Sequence, residues 1–594
     1  MNPSPQPSPH GASRLTALCD RQGLVLGLFF LLTVGMTWPL APEFLSSLPA
    51  GSGDVRQNFW NFWWWKKCLL ELHQHPYWTQ YLFFPTGVSL TFYTHSSFNM
   101  LLALPVTVVL GPAAAYNFCV LFALTLSGWG AYLLVREITG DSRAGILAGL
   151  IFTYFPNHME QTLEHLNLFS TEFIPLTLFY FLRCCRQGGR KNVILLGVFF
   201  AFNTLCSWHL GLKLLLTLVP WAIWQLLRPN RPPKALLRDW LAAALLASVI
   251  VLPAVTPLVV EAFSAEEPYY RKPDTNRGID AAYLLIPPYA QPLLGPLVAD
   301  AYIDRAYEAA GFLCYLGFVP LGLAVVALWR LASGAVYWTV FALLTLLLAA
   351  GSHPFWNGKL YENITLPFAL LQQIPVLDLM NVANRFLILT SLALGILAAL
   401  GWTRLSKKSD VMFLALAGLI LFEYLWMPFP MRPTGISPLY ESVRNLPPGA
   451  VLHIPFHQRS RAADDMMAQT IHERPIGGGY HSTYPPEPQR FIDQDPMLSQ
   501  LSGVPKLVRP IDGDHLLGLG FSTIVLHKYR MESYREKLLS QIQRTDITGY
   551  KFASGRGGVP DETMNQIRAE LTAFCGPPAS EDDTIVVFDL TRKP

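Results

Sequence analysis

Charged residues are scarce in this sequence. They make up 14% of its 594 residues, whereas about a quarter of the residues in an average soluble domain are charged. Hydrophobic residues reach 52% and gather in long runs, so the composition excludes an ordinary soluble protein and predicts an α-helical polytopic membrane protein. The formal net charge is only +3, and nothing in it indicates a nucleic-acid partner.

The sequence also lacks the cysteine and glycine motifs of several common sites. Its eight cysteines include no CxxC pair and no Cys/His spacing typical of zinc, and Cys184 and Cys185 are adjacent and poorly placed to pair with each other. This pattern predicts no disulfide scaffold, and it assigns no metal ligand. The run GGGY at Gly477–Tyr480 lacks the Lys-Ser/Thr of a phosphate loop, so it predicts a turn.

Long apolar runs predict the membrane spans. About 20 mostly apolar residues cross a bilayer, and eleven runs approach this length. A further run, 98–111, is short. Residues 1–22, rich in Pro and Ser, predict a disordered tail, and the first run predicts an uncleaved anchor rather than a signal peptide. The predicted spans are 23–41, 116–135, 144–157, 167–182, 193–208, 212–227, 240–260, 311–329, 335–351, 386–402 and 411–428.

Basic residues orient these spans, because cytoplasmic connections of membrane proteins are enriched in Lys and Arg. If 98–111 does not cross the membrane, the basic connections all lie on the cytoplasmic side with the N-terminus. If it does cross, they all lie on the outer side. We therefore predict that 98–111 lies in the interface and that the N-terminus is cytoplasmic, in the cell inner (plasma) membrane. The connections are 136–143, 183–191, 228–238, Arg330 and 403–408.

The same orientation places the large loops and the C-terminal part outside. We predict a transmembrane domain over 23–429 with a first outer loop at 42–115, and an extracytoplasmic α/β domain over 430–594. The runs AVLHIPF, STIVLHK and TIVVFDL predict strands, and YREKLLSQIQ predicts a helix. Acids, histidines and aromatic residues gather on this outer face, so we expect the functional site there.

One acid in the first outer loop, Asp54, directly precedes a cluster of tryptophans. The run GSGDVRQNFWNFWWWKK predicts a helix with Asp54, Asn58 and Asn61 on one face and the aromatic rings on the others. Trp-rich stretches are typical of membrane surfaces, so we predict an interfacial helix among membrane lipids with its polar stripe facing a cavity. A carboxylate beside apolar walls is costly to ionise, which suits a general base. The alternative is that Asp54 only caps the helix.

The loop FPNHMEQTLEHLNLFSTEF contains two histidines and two acids in helical register. His158 and His165 are seven residues apart, and Glu160 and Glu164 are four apart on another face. Zinc-binding helices favour histidines at i and i+4, so we assign His158, His165 and Glu160 to binding a substrate phosphate or hydroxyl rather than a metal. The alternative is ordinary polar residues in the headgroup region. Glu172, inside the next apolar run, is either a functional or a snorkelling acid.

Cations on the outer face are unusual under the charge rule, and they are candidates for binding a lipid phosphate. Arg271 lies in the loop segment EEPYYRKPDTNRG, and Arg385 lies in MNVANRF at the start of a span. Arginine holds a phosphate through two parallel hydrogen bonds, which lysine cannot do. Asn58 and His209, the latter at the outer end of another span, are further candidates for substrate binding. Headgroup contact without any enzyme explains the arginines as well.

The order of these segments carries a family resemblance. A first span and a large outer loop with an early acid are followed by FFPTG, by AYNFCVLFALTLSGWGAYLLVREITGDSRAGILAGLIFTYFP, and by the loop with two histidines seven apart. About residues 20–430 resemble the GT-C-fold membrane glycosyltransferases, which include oligosaccharyltransferase catalytic subunits, protein O-mannosyltransferases and bacterial lipid-modifying sugar transferases. The sequence is most similar to bacterial members with an outward C-terminal domain.

The resemblance implies a sugar donor carried on a polyprenyl phosphate and an acceptor that is a lipid, a glycan or a protein. An acid in the first outer loop of the family activates the acceptor, and Asp54 matches that acid. By the same resemblance, Arg271 or Arg385 would hold the phosphate. Many members have paired acids in this loop, whereas Val55 and Arg56 follow Asp54 here. This departure argues against a requirement for a divalent cation, because a single carboxylate holds such an ion poorly.

Two rival functions stay open at this point. A transporter usually shows internal repeats, or broken helices with ionisable groups at the middle of the bilayer, whereas the acids here lie near the outer edge. A non-catalytic membrane scaffold would use the C-terminal part to bind a partner outside the cell. The substitution Asp54→Asn separates the functions, because only a transferase would lose its activity while still inserting normally.

Overall fold

The computed structural model of the protein describes most of the chain. Arg271 and the predicted helix YREKLLSQIQ lie outside the described residues. The described residues are 14–51, 53–264, 278–303, 313–374, 382–406, 408–455, 459–481, 486–502, 507–528 and 561–592.

Helices dominate the first 430 residues. Short 3-10 or π segments lie at Lys67–Glu71, Ala281–Leu285 and Ala383–Phe386. The helices are α1 (Arg14–Cys19), α2 (Gln22–Met36), α3 (Gly53–Lys66), α4 (Ser97–Leu102), α5 (Leu104–Leu110), α6 (Pro112–Thr139), α7 (Ser142–Tyr154), α8 (Pro156–Glu164), α9 (Leu166–Phe169), α10 (Phe173–Arg186), α11 (Arg190–Cys206), α12 (Trp208–Leu227), α13 (Pro233–Ser264), α14 (Gly295–Ile303), α15 (Phe318–Trp329), α16 (Ala335–Ala349), α17 (Phe368–Leu371), α18 (Leu387–Arg404) and α19 (Asp410–Glu423).

Each predicted span contains a helix, but these helices differ in their ability to cross a bilayer. The predicted span 23–41 is a shorter helix, α2, which ends at Met36 ahead of Pro39. The run 98–111 forms α4 and α5, and neither is long enough to cross. The total of eleven spans therefore stays a prediction. Among the described residues, five helical stretches have the length and apolar composition of a span: Pro112–Thr139, Leu166–Arg186, Trp208–Leu227, Pro233–Glu261 and Ala383–Arg404.

Part of the predicted disordered tail is helical. Residues 14–19 form α1, and Cys19 at its end is buried. The hydroxyl group of Tyr132 on α6 donates a hydrogen bond of 2.8 Å to the carbonyl oxygen of Cys19. The tail prediction is therefore wrong for residues 14–19, because Leu15 and Cys19 pack against the helical core.

Helix α18 lies at the centre of the helical part. Its span is 94% buried, and it packs against α7, α15 and α16. At Gly401 an added Cβ would lie 1.9 Å from the carbonyl oxygen of Leu323 on α15, so only glycine permits this close approach. Helix α13 differs, because only 11% of its apolar window is buried inside the protein, as expected for a helix that faces lipid.

The C-terminal segment, residues 431–592, contains a sheet with helices packed beside it. The runs that predict strands form β7, β8 and β10 of this sheet, whose order is β7–β8–β10–β9, with β7 and β8 parallel and the other pairs antiparallel. The strands among the described residues are β1 (Ser47–Pro49), β2 (Trp78–Thr79), β3 (Val88–Ser89), β4 (Phe355–Trp356), β5 (Lys359–Leu360), β6 (Met431–Pro433), β7 (Ala450–Ile454), β8 (Phe521–His527), β9 (Ser580–Glu581) and β10 (Ile585–Asp589). The described helices of the segment are α20 (Tyr440–Arg444), α21 (Arg459–His472), α22 (Pro486–Gln494), α23 (Pro496–Leu501), α24 (Gly513–Gly518) and α25 (Asp561–Cys575).

Residues 42–115, the predicted first outer loop, and the C-terminal segment are joined directly. Strand β1 pairs with β6 in antiparallel register, with Leu48 opposite Arg432. Helix α3 packs against α21, and the guanidinium of Arg56 lies 3.0 Å from a carboxylate oxygen of Asp464 on α21. The beginning of α3 is therefore held at the junction of the two parts.

The tryptophans of α3 are buried within the protein. Trp60 and Trp64 are fully buried. The indole Nε1 of Trp60 donates to Oε1 of Gln469 (2.7 Å), and that of Trp64 donates to the carbonyl oxygen of Pro76 (3.0 Å). The prediction that these rings lie among membrane lipids is therefore wrong, because the protein itself supplies their apolar contacts and polar partners. The position of α3 at the level of the membrane interface stays a prediction.

Candidate functional site

Asp54 is the centre of a polar cluster at the junction. It lies in the first turn of α3, after Gly53, so it is a helical residue rather than the N-cap. The hydroxyl of Tyr480 donates a hydrogen bond of 2.6 Å to its Oδ1, and Nε2 of His165 lies 3.4 Å from its Oδ2. The side chain is 19% exposed, and the N-terminal end of α3 favours its negative charge. Asp54 is thus an accessible carboxylate with a partner on each oxygen.

His165 reaches Asp54 because α8 ends one residue before it. The residue has extended backbone angles (φ −126°, ψ 90°) between α8 and α9, so it does not share a helical face with His158. The chain before α3 passes very close to this turn: an added Cβ at Gly51 would lie 1.6 Å from the carbonyl oxygen of Leu163. Glycine at position 51 therefore permits the approach that brings the two side chains together.

His158 lies in the core and is directed at main-chain carbonyls. Its Nδ1 is 2.8 Å from the carbonyl oxygen of Thr153, and its Nε2 is 3.0 Å from that of Phe169. Burial lowers its pKa, and the hydrogen bonds to the carbonyls of Phe169 and Thr153 oppose that shift. These contacts tie α7 to the end of α9, which positions the intervening His165. The arrangement does not favour the predicted role of His158 in substrate binding.

Two further acids, Glu164 and Glu160, lie near Asp54. Burial, reinforced by the charge of Asp54, raises the pKa of Glu164 to about 7. Burial and then the neighbouring Glu164 raise the pKa of Glu160 to about 8. Oε2 of Glu164 lies 3.8 Å from Nδ1 of His165. The site therefore collects carboxyl groups that hold protons near neutral pH, next to one imidazole.

Tyr480 comes from the GGGY run, which we predicted only as a turn. The close approach of Tyr480 to α3 depends on glycines in both segments. An added Cβ at Gly53 would lie 3.2 Å from the Tyr480 ring, and one at Gly479 would lie 3.0 Å from the Phe83 ring. The next residue, His481, places Nε2 3.2 Å from the carbonyl oxygen of Ser89. The run of glycines was the signal that sequence reasoning missed, since it marks a close approach of the backbone to other groups.

Asn58 and Asn61 share a face of α3 as predicted, but their side chains hydrogen-bond within the protein. Nδ2 of Asn58 donates to the main-chain carbonyl of Asp54 (2.8 Å). Nδ2 of Asn61 donates to the carbonyl oxygen of Thr94 (3.1 Å) and to Oδ1 of Asn58 (3.3 Å). Both residues are buried. Asn58 therefore stabilises the first turn of α3, and its predicted contact with a substrate stays a prediction.

A pair of cations lies at the start of two other helices. Lys213 on α12 is fully buried, and among the described residues its Nζ has no hydrogen-bond partner. Arg385, in the 3-10 turn before α18, is close enough for its charge to act on Lys213. The ammonium also lies 5.1 Å from the ring of Phe386. Lys213 was missed as a candidate, although an isolated cation inside an apolar run is itself a signal.

The remaining candidates lie apart from Asp54 or outside the described residues. The ring of His209 stacks on Trp208 with centroids 3.7 Å apart. Glu172 is buried, and its Oε2 has no hydrogen-bond partner among the described residues. Arg271 lies outside the described residues. The roles of His209 and Arg271 in substrate binding stay predictions, as does the choice between a functional and a snorkelling Glu172.

One segment connects Asp54 to the cation pair. The segment is residues 93–99, in which the carbonyl oxygen of Thr94 accepts the hydrogen bond from Asn61 on α3. Oγ of Ser96 donates to the carbonyl oxygen of Cys206 (2.8 Å), which lies two residues before α12 begins. Nδ2 of Asn99 also donates to Oγ of Ser170 (2.6 Å), just before α10. The segment thus couples the position of α3 to the helix that carries Lys213.

Comparison with known proteins identifies the architecture. Residues 98–257 match the family model described as dolichyl-phosphate-mannose-protein mannosyltransferase. No curated protein matches the chain. The arabinofuranosyltransferase AftD from Mycobacteria superposes with a TM-score of 0.57 at 14% sequence identity, over 96% of this chain and 40% of the AftD chain. This chain therefore spans about two fifths of the length of that relative.

Two further solved structures are similar with lower scores. The archaeal oligosaccharyltransferase AglB from Archaeoglobus fulgidus, in complex with an inhibitory peptide and a dolichol-phosphate, gives a TM-score of 0.46 at 10% identity, over 89% of this chain and 71% of that one. ArnT from Cupriavidus metallidurans bound to undecaprenyl phosphate gives 0.38 at 11% identity, over 96% and 98%. The family match and the apolar helices indicate an integral membrane protein. The predicted resemblance is confirmed for the fold: this chain has the GT-C fold of membrane glycosyltransferases.

Proposed function

We propose that this protein transfers a sugar from a polyprenyl-phosphate carrier to an acceptor at the outer face of the inner membrane, with Asp54 as the general base. The single observation that carries the proposal is the geometry of Asp54, whose two carboxylate oxygens are held by Tyr480 and His165 at a partly open junction. The GT-C fold and the match to a family described by a lipid-linked mannose donor support the same reaction class.

The chemical step follows from the position of the carboxylate. As the acceptor oxygen attacks the anomeric carbon, its proton passes to the carboxylate of Asp54. The bond between the anomeric carbon and the phosphate oxygen breaks, and the phosphate leaves with the electron pair. Attack opposite the leaving group inverts the configuration at the anomeric carbon. Tyr480 and His165 hold the carboxylate in place, and such positioning accounts for a large part of catalysis in general.

Lys213 and Arg385 are proposed to bind the phosphate of the carrier. An uncompensated buried cation is costly, and a second cation nearby increases that cost. A phosphate bound between the two would compensate the charge of Lys213. Charge-assisted hydrogen bonds to phosphate are the strong ones, and arginine can make two of them in parallel. The same pair would stabilise the charge that develops on the leaving phosphate.

The membrane part also offers space for an isoprenoid tail. A cavity of about 400 Å³ lies between α11, α12 and α13. Its lining is almost entirely apolar and includes Phe200, Leu215, Val219 and Ala247. Two of these residues, Leu215 and Val219, are on α12, and Lys213 precedes them on the same helix. A carrier with its tail in this cavity would have its phosphate near the start of α12, so the tail and the headgroup would be bound by one helix.

The experiment that tests the function is the substitution Asp54→Asn. Comparative mass spectrometry of glycolipids and cell-envelope material is run on cells that lack the protein, that carry the wild type, and that carry the variant. We expect a hexose or pentose mass that appears with the wild type and is absent with Asp54→Asn. The matched control is Glu43→Gln, which removes a carboxylate from the same outer loop. A wild-type glycan profile from a normally inserted Asp54→Asn protein would overturn the proposal and favour a scaffold or a transporter.

A further inference from the structure

A side-chain cluster in the C-terminal segment lies outside the site described above. His453 is on β7, His527 is the last residue of β8, and Asp465 is on α21. Nδ1 of His453 lies 3.0 Å from Nε2 of His527, and Oδ1 of Asp465 lies 3.5 Å from the first nitrogen and 3.6 Å from the second. Three atoms that can each coordinate a cation therefore form a nearly equilateral triangle.

The distances between the three atoms fit the bond lengths of a metal site. A point equidistant from the three atoms lies about 2.0 Å from each of them, which is the length of the bonds from zinc to histidine nitrogen and carboxylate oxygen. Two imidazoles and one carboxylate suit zinc and related divalent transition metals, whereas magnesium and calcium prefer oxygen ligands alone.

A plain hydrogen bond between the two imidazoles explains the arrangement less well. In that bond one nitrogen donates and the other accepts. Oδ1 of an ionised Asp465 accepts only, yet it lies 3.5 Å and 3.6 Å from the two nitrogens, so its contact with the nitrogen that carries no hydrogen would join two acceptors. A cation bound by all three groups removes this mismatch.

We propose that His453, Asp465 and His527 bind one divalent transition-metal ion of the zinc class, with water or another donor as the fourth ligand. The two strands hold the histidines in fixed register, because β7 and β8 are adjacent and parallel and Ile454 pairs with Leu526. His453 and Asp465 are almost fully buried, whereas the His527 side chain is 11% exposed. The ion would therefore enter from the side of His527.

The ion would stabilise the junction that carries Asp54. It ties α21 to both parallel strands, and α21 is the helix that packs on α3. Two residues of α21 contact α3: Asp464 pairs with Arg56 (3.0 Å), and Oε1 of Gln469 accepts from Trp60 (2.7 Å). Sequence spacing did not show this site, because its ligands come from three separate elements.

Metal analysis of the purified full-length protein tests the proposal directly. The protein in detergent is treated with a chelator, incubated with Zn²⁺, freed of excess metal and measured by inductively coupled plasma mass spectrometry. We expect one zinc per chain for the wild type. We expect at least a tenfold loss of affinity for His527→Gln and for Asp465→Asn. The control is His515→Gln, which removes a histidine paired with Asp495 in the same segment and is expected to leave zinc binding unchanged.

Cobalt substitution distinguishes ligation from a general loss of structure. With Co²⁺, the wild type is expected to show the visible absorption bands of a tetrahedral site. His527→Cys keeps a ligand for such metals, so it is expected to bind Co²⁺ and to add a thiolate-to-metal band. Zinc is also expected to raise the unfolding temperature of the wild type and of His527→Cys, but not of His527→Gln. Equal zinc content in the wild type and in His527→Gln, or the absence of bound zinc in the wild type, would overturn the proposal. None of these readouts depends on glycosyl transfer.

Discussion

The hydroxyl of Tyr480 donates a 2.6 Å hydrogen bond to Oδ1 of Asp54, although the two residues are 426 positions apart in the chain. The bond joins the first turn of α3 to a glycine-rich loop of the C-terminal segment. A phenol that donates to a carboxylate restrains its rotation and stabilises its charge. The C-terminal segment therefore completes the proposed site rather than only covering it.

The substitution Tyr480→Phe should slow glycosyl transfer without weakening the binding of substrates. A hydrogen bond to a charged group contributes about 1.5–3 kcal/mol, which corresponds to a fall of roughly 10- to 100-fold in kcat. KM should change little, because Tyr480 positions Asp54 rather than contacting the carrier. Steady-state kinetics with a polyprenyl-phosphate sugar measure both constants. Tyr361→Phe, which removes a hydroxyl from another loop, is the control, and a rise in KM with unchanged kcat would contradict this role.

The raised pKa of Glu164 predicts a pH-dependent cost of folding. In the unfolded chain the carboxyl group ionises near pH 4.5, whereas burial and Asp54 raise its pKa to about 7 in the folded protein. Between these values the folded state keeps a proton that the unfolded state has released, so the free energy of unfolding falls as pH rises through this window.

Glu164→Gln should remove this fall. We expect the variant to be more stable than the wild type at pH 8, with a smaller difference at pH 4.5, as measured by thermal unfolding in detergent. The exposed acid of Glu562 offers the control, Glu562→Gln, which should follow the wild type at both pH values. A constant difference between wild type and Glu164→Gln at all pH values would show that the two side chains differ only in packing.

Removing the buried charge of Lys213 should stabilise the protein when no lipid donor is present. Lys213 is fully buried and its Nζ has no hydrogen-bond partner among the described residues, and an unsatisfied buried group costs about 1–3 kcal/mol or more when charged. Lys213→Met should therefore raise the unfolding temperature of the donor-free protein. The same variant should raise the KM for the donor about tenfold or more, since each 1.4 kcal/mol is a factor of ten.

Two comparisons make the Lys213 prediction specific. Lys234→Met removes an exposed cation near the start of α13, and it should change neither stability nor KM. A polyprenyl phosphate without sugar should stabilise the wild type against heat and leave Lys213→Met unaffected. Equal stabilisation of both proteins by the lipid would assign the phosphate to other groups.

The charge distribution predicts opposite sides for two positions in the chain. Gly188 lies in the turn between α10 and α11, among basic residues, and should face the cytoplasm. The C-terminus should lie outside. Cysteines or tags introduced at the two positions should react with an impermeant reagent in intact cells only at the C-terminus. Labelling of Gly188 and protection of the C-terminus would place Asp54 in the cytoplasm and rule out an extracytoplasmic reaction.

Several elements could be predicted from sequence because their cause is local. A run of about 20 apolar residues favours a membrane-embedded helix wherever it occurs, and helices were found at each of these runs. Alternating or continuous β-branched runs predicted β7, β8 and β10 for the same reason. The periodicity that placed Asp54, Asn58 and Asn61 on one side of α3 is also a property of a single helix.

The partners of these elements depend on residues far apart in the chain, so only the tertiary structure decided them. The tryptophans of α3 have the composition of a membrane surface, yet Trp60 donates to Gln469 inside the protein. Likewise, local spacing could pair His158 with His165, but the end of α8 turned one ring toward the core and the other toward Asp54. Hydrophobicity and periodicity determine which segments become helices and strands. Contacts between segments depend on which surfaces pack together, and that is a property of the whole folded chain.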